Sequence, residues 1–148
     1  MRITQEADYA LRICLALSQA EHPVGAPHLS ERLCIPHSFT SKILRELMLA
    51  NLVRSTRGVN GGFSLSVMAD QLSLKQVIEA VDGPIAIRHC LMGDHNCSYQ
   101  PDKSKCRFHR VFEELNSIIT SRLELITIAD MADVNVPIDE LIEKLNKF

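Results

Sequence analysis

Proline and glycine cut the first third of this chain into three helical lengths, and no other feature restricts its fold as tightly. Pro23, Gly25 and Pro27 fall within five residues, and Ile35-Pro36 follows. Proline cannot sit inside a helix, because it lacks the amide donor and its ring clashes with the preceding turn. A helix from about residue 5 to 20, with Thr4 as N-cap and Ala7, Leu11, Cys14, Leu15 and Leu17 or Ser18 at helical spacing, must therefore end before Pro23. Pro27 suits the first position of a second short helix, PHLSERLC. Pro36 opens a third, HSFTSKILRELMLANL, with Phe39, Ile43, Leu44 and Leu47 on one face and Ser38, Ser41, Lys42 and Arg45 on or near the other. Two short helices joined by so brief a break read as a helix-turn-helix. A helical hairpin without a nucleic-acid role reads the same way.

The next segment favours the first reading. LVRSTRGVNGGFSLS alternates in character, turns at Asn60-Gly61-Gly62 and resumes with Phe63 and Leu65. That is a β-hairpin with Arg57 and Asn60 at its tip. Helix-turn-helix followed at once by a hairpin is the winged-helix order, in which the second helix enters the major groove and the wing lies along phosphates or in the minor groove. The candidate DNA contacts are thus Ser38, Phe39, Ser41, Lys42 and Arg45 on the helix and Arg57 and Asn60 on the wing. Gly61 and Gly62 serve the turn's backbone. The charge distribution agrees. The net charge is −2, yet His37 to Gly62 holds four basic residues and one acid, while Val111 to Phe148 holds eight acids and three basic residues.

Ser73 and Gln76 form a capping box for a further helix, LKQVIEAV, which Asp82-Gly83-Pro84 ends. After Cys106 an apolar repeat through Phe108, Phe112, Leu115, Ile119, Arg122 and Ile126 predicts one long helix of about 25 residues within Lys105 to Met131, roughly 37 Å at about 1.5 Å per residue. The chain before it is too small to cover so much apolar face, and a partner subunit is the natural cover, as a two-fold DNA reader requires. A short last helix follows Pro137. The expected fold is mainly α with a small β wing. Residues 1–85 form the winged helix-turn-helix, 86–107 a cysteine-bearing loop, and 108–148 a dimerisation helix and tail. No run of about 18 or more apolar residues spans a membrane, and Glu6 and Asp8 interrupt any signal-peptide pattern at the start. A cytoplasmic location follows.

The five cysteines are Cys14, Cys34, Cys90, Cys97 and Cys106. An odd number without a secretory signal does not suggest a disulfide framework. Cys14 and Cys34 sit among apolar residues and read as small buried side chains. Cys90, Cys97 and Cys106 lie in CLMGDHNCSYQPDKSKC, a polar loop that something must order. No C-x-x-C is present, so neither a zinc ribbon nor a ferredoxin loop is indicated. A metal centre, a structural zinc and a thiol–disulfide switch all remain open. Cys106 and His109 also have the spacing of a nucleophile and base, but no orienting third residue or oxyanion donors accompany them, and the chain does not read as an enzyme.

Three segments resemble the Rrf-two family of bacterial transcription regulators: MRITQEADYAL, the wing LVRSTRGVNGGFSLS, and LSLKQVIEAVDGP followed by a cysteine; TIADM also fits. The resemblance spans essentially the whole chain. It implies a homodimer that binds palindromic double-stranded operators and regulates transcription, as a repressor or an activator. It also implies that Cys90, Cys97 and Cys106 hold an iron–sulfur cluster, 2Fe–2S or 4Fe–4S, responding to redox state, nitric oxide or iron supply. The six and eight residues between these cysteines exceed the five and five of IscR-like members. Ser38, Phe39 and Ser41 stand where IscR-like members carry Ser, Tyr and Glu, a change expected to alter the bases accepted. Two residues resemble a fourth ligand. His109 matches the histidine of IscR-like members and, three residues after Cys106, shares its helical face. Asp8 matches the aspartate that in NsrR-like members reaches across from the other subunit. His95 is a third candidate.

Overall fold

The computed structural model describes residues 3–93 and 97–146, so His95 lies outside the described residues. Helix α1 runs Gln5–Ser18, and the Thr4 hydroxyl accepts from the Ala7 amide as its cap. Helix α2 (Ala26–Leu33) carries Pro27 in its first turn, and α3 (His37–Leu49) starts after Pro36. Each is followed by a left-handed residue, Cys34 at φ 53° and Asn51 at φ 58°. Behind these, the Cys34 and Ile35 amides donate to Glu31 and Ser30 carbonyls, and the Asn51 and Leu52 amides to Met48 and Leu47 carbonyls. This pairing closes a helix C-terminus. It stops α3 at Leu49 rather than Leu52, and Leu52 turns inward. It also corrects the expectation for Cys34, which is exposed because the chain leaves the helix at that residue. Cys14 is fully buried, and burial pushes its thiol up to about 12.

The wing pairs β1 (Val53–Thr56) antiparallel with β2 (Gly62–Leu65), with Thr56 opposite Gly62. Val24 adds a third rung, exchanging two 2.9 Å backbone hydrogen bonds with Phe63. Gly62 makes this possible, since a Cβ there would lie 2.7–2.9 Å from Val24 backbone atoms. The wing is thereby stitched to the loop before α2. Beneath it, Ile13 and Leu17 of α1, Leu29 of α2, and Ile43, Leu44 and Leu47 of α3 share one core with Leu72 and Val77. Helix α4 (Leu74–Asp82) begins with the Ser73–Gln76 capping box that the sequence predicts.

The single long helix expected from Lys105 to Met131 is in fact two. Helix α5 is Arg107–Leu125, 19 residues, and α6 is Ile128–Ala132. The first spans about 28 Å at ~1.5 Å per residue, not 37 Å. Between them the chain is extended. Thr127 bridges Ser73, the Leu74 amide donates to the Ile126 carbonyl at 2.9 Å, and the Ile128 amide to the Leu72 carbonyl at 2.8 Å. Burial explains the break. Ile126 and Ile128 are only 5% and 1% exposed, and Ile128 belongs to the core of α1–α3. A continuous helix would carry both away from it. Thr127 then caps α6 in a second capping box with Asp130, whose carboxylate also accepts from Lys144 of α7 (Ile138–Asn146) at 2.6 Å. Among the described residues no helix is long and apolar enough to cross a membrane.

Candidate functional site

Helix α3 presents Ser38, Phe39, Ser41, Lys42 and Arg45 outward while Thr40, Ile43, Leu44 and Leu47 face the core. Phe39 is half shielded, because the Tyr9 ring meets it edge-on with centroids 6.2 Å apart. Lys42 is engaged as well. Its Nζ donates to both carboxylate oxygens of Glu6, at 2.8 and 2.9 Å. That hydrogen bond holds its pKa above the ordinary ammonium value, against a smaller opposing effect of desolvation. Arg57 and Asn60 are exposed at the wing tip, on the loop that joins β1 to β2. Neither α2 nor α3 has a side-chain cap on its first amides, in contrast with α1, α4, α5 and α6. The sequence did not reveal Glu6 or Tyr9 as neighbours of this face. They lie on another helix, and no local pattern reports such a contact.

Cys90, Cys97, Cys106 and His109 line a single cavity of about 520 Å³, with Arg88 and Lys103 also in its wall. Two short 3-10 turns, His89–Leu91 and Lys103–Lys105, carry the loop. Cys106 is the N-cap of α5, its sulfur accepting from the His109 amide at 3.4 Å. All three thiols are free. Backbone amides of Gln100 and then Tyr99 hydrogen-bond to Cys97, and these, with the nearby Arg88 charge, hold its pKa below the ordinary thiol value against slight burial. Thiolate, not thiol, ligates metal. His109 is 8% exposed, and its Nδ1 is buried with no hydrogen-bond partner. Buried polar atoms are rarely left so, and three thiols with an imidazole in one cavity wall are residue types that suit a metal centre. The donors share a cavity but not yet a point, since among the described residues no three such side chains stand close enough to hold a metal ion as they are.

Asp8 is not part of this wall. It pairs with Arg12 at 2.7 Å on α1, so of the two, His109 and not Asp8 joins the cysteines within one chain; His89, which the sequence reading passed over, lines the same cavity. Sequence reading also missed Arg88, whose guanidinium lies 5.7 Å and 5.4 Å from the ring centres of Phe108 and Phe112. Asn116 of α5 fixes the approach to the loop, accepting from the Ile87 amide at 2.9 Å and donating to the Ile85 carbonyl at 3.1 Å. From Phe108 at the cavity wall, Phe108, Val111, Leu115 and Ile118 form an exposed stripe along α5.

Residues 3–134 match the family model described as Rrf2, iron-dependent transcriptional regulator. The chain is 32% identical over 141 residues to the transcriptional regulator IscR of Vibrio vulnificus, covering 94% of this chain and 82% of that one. Among solved structures, CymR, the global cysteine regulator of B. subtilis, superposes with a TM-score of 0.70 at 22% identity, covering 89% of this chain and 96% of that one. IscR of T. potens superposes with a TM-score of 0.67 at 22% identity, covering 88% and 85%. The chain belongs to the Rrf2 family of winged-helix, DNA-binding transcriptional regulators, and it is not an enzyme.

Proposed function

We propose that this regulator binds a palindromic operator as a cytoplasmic homodimer and that an iron–sulfur cluster held by Cys90, Cys97 and Cys106 controls the binding. One observation carries the cluster reading: three free cysteines line the same cavity as His109, whose Nδ1 is buried without a partner. Arg88 and Lys103 in its wall offset the negative charge that thiolates bring. His109 or Asp8 of the partner subunit completes the ligand set. When bound, the cluster supplies a centre sensitive to redox state, nitric oxide or iron supply. The chain's own residues supply the rest. Residues 1–85 read DNA, with Ser38, Phe39, Ser41, Lys42 and Arg45 on the face turned to the major groove, and Arg57 and Asn60 at the phosphates or minor groove. Residues 86–107 house the cluster. Residues 108–148 pair the subunits, the stripe of Phe108, Val111, Leu115 and Ile118 having the three-and-four spacing of a helix–helix seam. With Asp8 as ligand to the partner subunit's cluster, a packed route would join the two functions. Asp8 pairs with Arg12, the Arg12 guanidinium lies 5.9 Å from the Tyr9 ring centre, and Tyr9 abuts Phe39.

Protein purified without oxygen is expected to be coloured and to contain iron and sulfide. A colourless preparation with stoichiometric zinc replaces the cluster with a structural zinc site. The lowered Cys97 thiol favours a thiol–disulfide switch as the second reading, shown by a metal-free protein whose DNA affinity follows oxidant. For the DNA face, Arg57→Ala is expected to flatten the salt dependence of binding by about one unit of log–log slope if Arg57 meets a phosphate. An unchanged slope removes it from the phosphate contacts.

A further inference from the structure

We propose that Glu6 on α1 is a determinant of DNA binding: it holds Lys42 of the recognition helix away from backbone phosphate, and so limits both affinity and salt dependence. The inference rests on the reading that α3 faces DNA. Glu6 and Lys42 are far apart in sequence, yet the carboxylate grips the ammonium with both oxygens. The pair lies on the surface read as DNA-facing, where Glu6, Ser38, Phe39 and Lys42 line one shallow depression. The Lys42 side chain is 54% exposed and that of Glu6 is 30% exposed. A pair so open to solvent contributes little to stability, so the fold does not account for an acid at this place.

Its effect on a polyanion is larger. A free surface cation gains by displacing the counterions condensed on DNA. Lys42 already has its counter-charge in Glu6. To reach a phosphate it must leave the carboxylate, and the carboxylate then faces the phosphates alone. Arg45, one turn further along α3, has no ion pair among the described residues and carries no such restraint. The exposed cations of this helix therefore divide into one committed to the protein and one free for DNA. Sequence alone counts both as equal members of a basic face.

The test is a salt titration of the full-length protein on a random-sequence DNA duplex, comparing wild type, Glu6→Gln, Lys42→Gln and the double variant. Releasing Lys42 in Glu6→Gln is expected to steepen the log–log salt slope by about one and to tighten binding, the gain shrinking by about threefold for each fourfold rise in salt. In the Lys42→Gln background, Glu6→Gln is expected to leave the slope unchanged. Equal tightening in both backgrounds overturns the inference, because Glu6 then acts as a plain surface charge. No change in either background also overturns it, because Lys42 then has no phosphate to meet. Arg45→Ala separates this from the underlying reading. If it flattens the slope by about one while Glu6→Gln does nothing, only the Glu6 inference fails. If Arg45→Ala has no effect either, α3 is not the DNA face and the reading itself fails.

Discussion

Between Gln5 and Asp82 each helix turns its apolar stripe into one shared core, with Ile13, Leu29, Ile43, Leu44, Leu47 and Val77 all 1% exposed or less. Helix α5 does the opposite. Its one buried residue is His109, and Phe108, Val111, Leu115 and Ile118 face outward. The polar loose ends differ in the same way. Among the described residues the one buried side-chain polar atom without a partner is Nδ1 of His109, on the first turns of α5. These two features are the ones that the proposed partner and cofactor would complete. The apolar stripe and the cysteine cavity therefore carry the proposed partner and cofactor, and α1–α4 the proposed DNA-reading face.

The contrast is broken most severely at Ile128. This residue follows α5 in sequence but belongs to the first region's core, so Ile128→Ala is expected to cost about 2–5 kcal/mol in urea unfolding followed by circular dichroism. A cost under about 1 kcal/mol, typical of an ordinary surface change or little more, would return α6 to the open region. Next is Asn116, the clamp between α5 and residues 85–87. Asn116→Ala leaves the Ile87 amide and Ile85 carbonyl without their partner, and a loss of about 1–3 kcal/mol is expected. A negligible loss would mean that the approach to the cysteine loop is held by something else.

Asp130 sharpens the comparison through pH. Burial acts to raise its pKa, but hydrogen bonds from Lys144 and Thr127 outweigh that and hold it below the ordinary range. With the native pKa depressed, the unfolded chain takes up the proton first. The stabilisation is therefore complete above the unfolded value of about 3.9 and is lost as pH falls through the native value. Asp130→Asn is expected to cost about 0.5–2 kcal/mol near neutrality, as the loss of a helix cap does, and to remove part of the acid sensitivity of the melting temperature. The smallest effect on an isolated protomer belongs to Leu115→Glu, within about 0.5 kcal/mol, since the side chain is already outside. Its consequence should appear in sedimentation instead, as loss of self-association. A dimer that survives would place the subunit contact elsewhere.

Much of the first region was legible because its signals are local. Pro23, Pro27 and Pro36 bound three helices wherever the chain folds, and Ser73 with Gln76 announces α4 by side chain to backbone bonds within one turn. Asn60-Gly61-Gly62 marks the hairpin, although Gly62 has a second reason to be glycine, the backbone of Val24, which no local pattern contains. The candidate site was legible as residues and not as geometry. The family resemblance pointed to Cys90, Cys97 and Cys106 as candidate donors, with His109, three residues after Cys106, or Asp8 as a candidate fourth. That these share a cavity with Arg88 and Lys103 depends on two short turns and on Asn116, far along the chain.

The amino-acid sequence by itself determined the elements, their order and the kind of residue each face would show, because propensity, capping and hydrophobic period act over one or two turns. Tertiary structure decided where local rules compete. The apolar repeat would carry a helix through Ile126 and Thr127, but extended pairing with the Leu72–Leu74 segment and the burial of Ile126 and Ile128 prevail. Local character would bury Cys34, but closing α2 turns it outward. Lys42 reads as a free cation until α1 brings Glu6 beside it. Cys34 is turned out by its own helix end, but for Ile126–Ile128 and for Lys42 the deciding partner is distant in the chain, and only the folded core sets the distance between them.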